Sequence, residues 1–178
     1  LRPFAKGLTD RLWYGGGSQN SARWAGHAGF NLLTGNIVSG ENTDDFLTAQ
    51  KALIERFRQE WVHERAPRVA LGRVILPTDS ASPDARRRYA EFAAERDKRT
   101  GFAHGPRRTL FLPDIVGTTE QILETLAADP VLPRVSEFRL ELPYEFHAED
   151  YAQILTDFAR LLPASGASKP ELSVVRAG

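Results

Sequence analysis

Short apolar runs alternate with helix-like stretches four times along this 178-residue chain, and that order restricts the fold more than any other feature. Leu12–Tyr14, Phe30–Leu33, Val69–Leu76 and Phe138–Leu142 read as strands. Ser18–Ala28, about Thr43–His63, Ser82 to about Arg99, a stretch opened by Gly117–Gln121, and Glu149–Leu162 read as helices. Strands that alternate with helices run parallel and are joined by right-handed crossovers. Two α/β architectures satisfy this order: a small open sheet, or half of a (β/α)8 barrel. Either leaves two strand edges without a partner.

The first of these units carries the most informative local pattern. Leu12-Trp13-Tyr14 runs into Gly15-Gly16-Gly17, and Ser18 then opens an Ala-rich helix closed by Gly29. Glycines let backbone approach a ligand with no Cβ in the way, and a helix N-terminus offers free N–H groups at its positive end. The turn therefore predicts a phosphate grip at Gly15, Gly16, Gly17 and Ser18, with Gln19 and Asn20 in the first helical turn. The bland alternative is a tight strand-to-helix connection with a Ser N-cap. Tyr14, at the strand's C-terminal end, faces either the ligand or the core. The turn is neither a Walker A loop nor the dinucleotide-binding G-x-G-x-x-G.

Composition narrows the function classes. With 23 basic and 23 acidic residues the net charge is zero, which argues against a general nucleic-acid binder. No apolar run approaches the roughly 18 residues of a membrane span, so no membrane partner is expected. The chain has no Cys, which excludes disulfides and thiolate chemistry and predicts a cytoplasmic home. His27, His63, His104 and His147 share no ligand spacing, so no metal site is expected. The absence of Met, and a start at Leu1, read as an incomplete chain. Pro163–Gly178 is rich in Ser, Ala, Gly and Pro and reads as a flexible tail.

The remaining candidates each have a structural alternative. Thr34 and Asn36 follow the second strand, where they either touch a ligand or belong to a polar loop spanning Thr34–Asn42. Asp44 and Asp45 suit the positive end of the long helix, whose apolar face is Phe46, Leu53, Phe57 and Trp61. Arg73 lies within the otherwise apolar third strand. It needs a partner if buried: a phosphate or sulfonate, Glu141 on a neighbouring strand, or solvent if that face is open. Ser82-Pro83 and the Thr118–Gln121 capping box mark helix starts. Thr100–Pro113 reads as an irregular insert in which His104, Arg107 and Arg108 form a basic loop, closing on an anion or simply solvated. Arg86-Arg87-Arg88 reads as a wet helix face. Tyr151, Ile154, Leu155, Phe158 and Leu162 form the inward face of the last helix, and Trp13, Trp24 and Trp61 read as packing groups. No Ser/His/Asp set or carboxylate pair has a spacing that assigns a catalytic residue.

L-W-Y-G-G-G-S-Q-N-S-A-R-W-A-G-H-A-G-F-N-L-L resembles the fifth strand, turn and helix of luciferase-like monooxygenases. Arg68–Leu76 resembles the family's seventh strand, and Val116–Ile122 its G-T-p-e-q helix start. Phe138–Pro143 with Glu149–Leu162 resembles the eighth strand and closing helix. The resemblance covers roughly residues 11–162 and has no counterpart of the family's first four βα units. It implies the C-terminal half of a TIM barrel over residues 1–162, with an insert at about 79–116, ahead of the 163–178 tail. It also implies a flavin- or F420-dependent oxidoreductase or monooxygenase, using FMN or coenzyme F420 and acting on a small-molecule substrate. On that basis Tyr14, Gly15, Gly16, Gly17, Ser18 and Gln19 are the expected cofactor-binding residues. The chain alone is expected to be inactive and to require a homo-oligomeric partner or an N-terminal half. The alternative is a truncated, non-catalytic flavin-binding or half-barrel interaction protein.

Overall fold

The longest strand organises everything else. A computed structural model describes residues 7–164, with side chains through residue 161. In chain order the elements are β1 (Trp13–Gly15), α1 (Gln19–Ala28), β2 (Asn31–Thr34), β3 (Ile37–Ser39), α2 (Phe46–Gln59), β4 (Val69–Pro77), α3 (Pro83–Asp97), β5 (Thr109–Phe111), β6 (Ile115–Gly117), α4 (Thr119–Ala127), β7 (Glu137–Glu141) and α5 (Ala148–Ala164). All nine residues of β4 are buried, as a strand of nearly continuous apolar sequence in a parallel sheet must be. It pairs in parallel with β2 through Val69–Leu71, with β7 through Ala70–Val74 and with β6 through Ile75–Pro77. β1 joins β2, again in parallel. The protein is thus a mixed α/β fold with a mostly parallel five-stranded sheet, accompanied by a small antiparallel pair of β3 and β5.

Alternation along the strands separates two faces. Leu32, Val69 and Leu71 pack with Ala22 and Ala25 of α1 and Leu53, Ile54 and Phe57 of α2. Further along the same face, Ile75, Phe138 and Leu140 meet Ile122 of α4 and Leu161 of α5. The opposite face is different: Arg68 and Arg139 lie over the Trp13 ring, and Glu137 pairs with both arginines.

The helix starts follow their capping residues. Ser18 caps α1 reciprocally with Ser21, Asp45 caps α2, Ser82 precedes Pro83 at the start of α3, and Thr118 with Gln121 closes a capping box on α4. Gly29 ends α1 at φ 73°, the left-handed conformation that glycine adopts freely. Several expectations need correction. α2 ends at Gln59, so Trp61 lies beyond it and reaches the core by packing edge-on to Phe57. Leu155 is 49% exposed and does not join the inward face of α5. α5 runs through Ala164, two residues into the stretch read as tail. The rest of that tail and the Leu162 side chain lie outside the described residues. The supposed loops at 34–42 and 100–113 contribute β3 and β5, which pair with each other, and β6 follows the second of them.

Arg73 settles on the helix-packed face with no exposed surface. Its guanidinium donates to Asp129 at 2.8 and 3.0 Å and to Gln50 Oε1 at 2.8 Å. The partner is therefore Asp129, not Glu141. Removing one member of a buried pair strands the other charge in a medium that solvates it poorly. Asp129→Asn should lower unfolding stability by about 3–5 kcal/mol, read as a shift in the urea midpoint. A loss below about 1 kcal/mol would show that the pair behaves as a solvated one.

Candidate functional site

Gly15–Gly17 leave the sheet at the C-terminal end of β1, the end at which parallel α/β sheets bind ligands. The Gly16 N–H extends the β1–β2 ladder by donating to Leu33 O at 2.9 Å. Gly17 is where the chain needs a missing side chain, since a Cβ there would lie 2.9 Å from Ile37 O. That close approach lets Ser39 N–H donate to Gly17 O at 2.6 Å, which ties β3 to the turn. The expected row of bare amides is therefore only partly present. Ser18 N–H donates to Ser21 Oγ at 3.0 Å, and Ser21 N–H to Ser18 Oγ at 3.2 Å. Gln19 N–H donates to the Glu41 carboxylate at 3.2 Å. Among the described residues, the Gly17 and Asn20 amides meet no acceptor.

A cavity of about 650 Å³ opens beside this turn. Gly17, Ser18 and Asn20 form one wall, while Val38, Arg107 and Arg108 from the β3–β5 side form the other. Arg107 and Arg108 of the insert, read from sequence as a basic loop either closing on an anion or solvated, thus line the cavity, whereas the strand pairing that puts them there was not legible. Arg108 stands at φ 47°, a backbone region uncommon for a residue with a side chain. Its Nε donates to Gly40 O at 2.8 Å and its guanidinium pairs with Asp44, so the hairpin tip is fastened to the segment ahead of α2. Arg107 is exposed and forms no ion pair among the described residues. The cavity accordingly presents one unpaired guanidinium, a serine hydroxyl and the Gly17 amide, faced by the Glu41 carboxylate.

The other candidates separate clearly. Tyr14 packs against Trp24, ring centroids 4.7 Å apart, and joins the core between β1 and α1 rather than the cavity. Gly15 is exposed, with open space where a Cβ would stand. Thr34 and Asn36 are buried, not part of a wet loop. Gln50 donates to Thr34 Oγ1 at 3.1 Å and to Gly35 O at 2.8 Å, joining the strand end to the Arg73 cluster. His104 Nε2 donates to Arg99 O at 2.8 Å and its ring packs against Phe102, outside the cavity wall. His27 and Glu60 form a surface pair. No group of three or more His, Cys, Asp or Glu side chains that would hold a metal occurs among the described residues. No helix among them is long and apolar enough to cross a membrane.

One carboxyl escaped the sequence reading except as a possible partner for Arg73. Glu141, the last residue of β7, lies on the face opposite the helices against Gly35 and Gly72, where a Cβ at either glycine would overlap its Oε1. Burial pushes its carboxyl above the usual carboxylate range, and Arg73 and the Asn36 N–H only partly oppose the shift. The signal was available as Gly72 within β4, since a glycine inside a strand commonly marks a close approach.

No family model matches the sequence, and no curated protein matches it. Among solved structures, the crystal structure of apo-MsnO8 is similar, with a TM-score of 0.56 at 17% identity. The match covers 85% of this chain and 50% of that one, so the chain spans half the length of this neighbour. At that identity the likeness speaks for the α/β fold alone.

Two outcomes test the site's construction. Ser18→Ala removes the cap of α1 and should cost about 1 kcal/mol in a urea unfolding curve; no change would mean that Ser21 caps the helix alone. A raised carboxyl binds its proton more tightly folded than unfolded, so its stabilisation is present below the ordinary glutamate value and fades as pH rises through the folded one. Wild-type stability relative to Glu141→Gln should therefore decline with rising pH in that window. A flat difference would show that the carboxyl is solvated.

Proposed function

We propose that this chain is the C-terminal half of a (β/α)8-type, flavin- or F420-dependent oxidoreductase of the luciferase-like kind. In this reading its part is to hold the cofactor phosphate between the glycine turn and the β3–β5 wall. The carrying observation is the cavity, which places the Gly17 amide and Ser18 on one side and the unpaired Arg107 on the other. A guanidinium and backbone amides around a concave space suit an oxyanion. The Glu41 carboxylate already accepts from Gln19 N–H, so the start of α1 attracts negative charge in the folded chain itself. A bound phosphate replaces that carboxylate, and Gln19 then joins Gly17, Ser18 and Arg107 as donors. Tyr14 supports the turn from the core side and Gly16 anchors it to β2.

The cofactor, when bound, supplies the hydride or oxygen chemistry; the chain grips, orients and shields it. The four strands β1, β2, β4 and β7, each hydrogen-bonded in parallel to the next, are half the number that closes a barrel. Closure then requires an N-terminal half or a second chain, and the isolated chain is inert.

The test is a fluorescence titration of the purified chain with FMN and with F420. Binding of one of them is expected, weakened about tenfold or more by Arg107→Ala, as for loss of a charged hydrogen bond. Equal affinity in the variant would remove the phosphate from this cavity, and failure to bind either compound would sink the cofactor assignment. Turnover of an aldehyde or reduced nicotinamide by the isolated chain with stoichiometric FMN would overturn the inert-half reading.

A further inference from the structure

The β3–β5 pair has two faces of different character. Val38 and Leu110 pack on Phe46 and Ala49 of α2 and form a small core. Alternation sends Ile37, Ser39, Thr109 and Phe111 to the outer face. There Ile37 stands opposite Phe111, and Ser39 opposite Thr109. Ile37 is 52% exposed. A single exposed apolar side chain carries no message alone, but this one has neighbours. Phe111 meets the His104 ring at 5.2 Å, and His104 meets Phe102, also 52% exposed, at 4.3 Å. Arg99 lies over the Phe111 ring at 4.3 Å and holds it in place. The outer face therefore carries a strip of apolar and aromatic groups whose two ends, Ile37 and Phe102, are open to solvent.

The same face forms one wall of the cavity beside the glycine turn, where Ile37, Ser39, Pro106 and Thr109 line it together with Arg107. The chemistry along that wall is ordered. Ser39 Oγ donates to Arg107 O at 2.9 Å, and Ser39 N–H donates to Gly17 O at 2.6 Å. The unpaired Arg107 and the glycine turn are thereby both seated at the Ser39–Thr109 rung. The next rung, Ile37 with Phe111, lies two residues along, about 7 Å away at the rise of an antiparallel strand. Its two side chains offer no hydrogen-bond donor. Donors thus collect at one rung and apolar surface at the next.

We propose that the cavity takes a phosphate monoester carrying a flat, largely apolar ring system. Its oxyanion lies at Arg107 and the glycine turn, and its ring lies along the outer face of β3–β5 against Ile37 and Phe111. Inorganic phosphate meets only the first rung, and a neutral ring only the second; a ligand holding both groups in that order meets the whole wall. Covering the exposed part of Ile37 supplies the added affinity. The inference rests on the phosphate-grip reading of this cavity and assigns the insert its share of the recognition, the body of the ligand as well as its anion.

The test titrates the full chain with inorganic phosphate, 1-naphthyl phosphate and FMN, as wild type, Ile37→Thr and Arg107→Ala. Threonine keeps the β-branched shape that a strand favours and removes the apolar reach. In the wild type, naphthyl phosphate is expected to bind about tenfold more tightly than inorganic phosphate. Ile37→Thr should weaken naphthyl phosphate and FMN about fivefold and leave inorganic phosphate unchanged, whereas Arg107→Ala should weaken all three. Equal wild-type affinity for naphthyl and inorganic phosphate would overturn the ring platform, whether or not Ile37→Thr folds, and would leave the phosphate grip standing. Ring-dependent binding that ignores Ile37→Thr would overturn it too. Binding of naphthyl phosphate that depends on Ile37, with no binding of FMN, would support the platform and end the flavin reading. Failure of all three to bind would overturn both. A sedimentation shift in Ile37→Thr, with ligand affinities unchanged, would make this face a contact between copies of the chain and overturn the proposal.

Discussion

Arg73 is a permanent cation placed where water cannot follow, and the arrangement that accommodates it ties the rest of the molecule together. Its guanidinium is answered by Asp129, in the turn after α4, and by Gln50 of α2. Gln50 passes the connection on to Thr34 Oγ1 and Gly35 O. One charge in the middle of β4 thereby fixes the positions of α2, the end of α4 and the end of β2. A pair of this kind contributes little net stability compared with an apolar replacement, but it tolerates no partial removal. Its effect here is registry: it holds the C-terminal end of β2 in a single place, from which the chain runs on into the cavity wall.

From that end the chain goes two ways. Gly35 turns toward the face opposite α1 and α2, where it bounds the seat of Glu141. Ile37–Ser39 continue as β3 and lie against Gly17, whose missing Cβ permits the contact. The glycine turn, the cavity and the carboxyl are therefore three consequences of one well-located strand end.

The sequence was most legible where structure is decided locally. Ser18, Gly29, Ser82-Pro83 and Thr118 act through backbone groups within a few residues of themselves, and each cap lies where its residue type implies. The apolar run at 69–76 identified β4 for a similar reason, since burial on both faces leaves an unmistakable composition. Legibility failed where partners are distant. Ile37–Ser39 and Thr109–Phe111 are too short to show alternation, and each becomes a strand only through the other. The partner of Arg73 is Asp129, 56 positions away, a residue that reads as a helix stop when taken alone. Of the glycine turn, sequence supplied the cap and the close approach but not the internal acceptors: Leu33 O takes Gly16 and Glu41 takes Gln19.

The β3–β5 pair carries a kinetic corollary. Its two three-residue strands are roughly seventy positions apart along the chain, so closing that loop forfeits much chain entropy for very few backbone bonds. Such a flap forms late and unzips early, long before the sheet beneath it gives way. Amide protons on Val38 and Leu110 should consequently exchange through brief local openings, while those of β4 wait for global unfolding. The chamber beside the glycines would then admit its guest by fraying one wall, with no hinge or domain movement required.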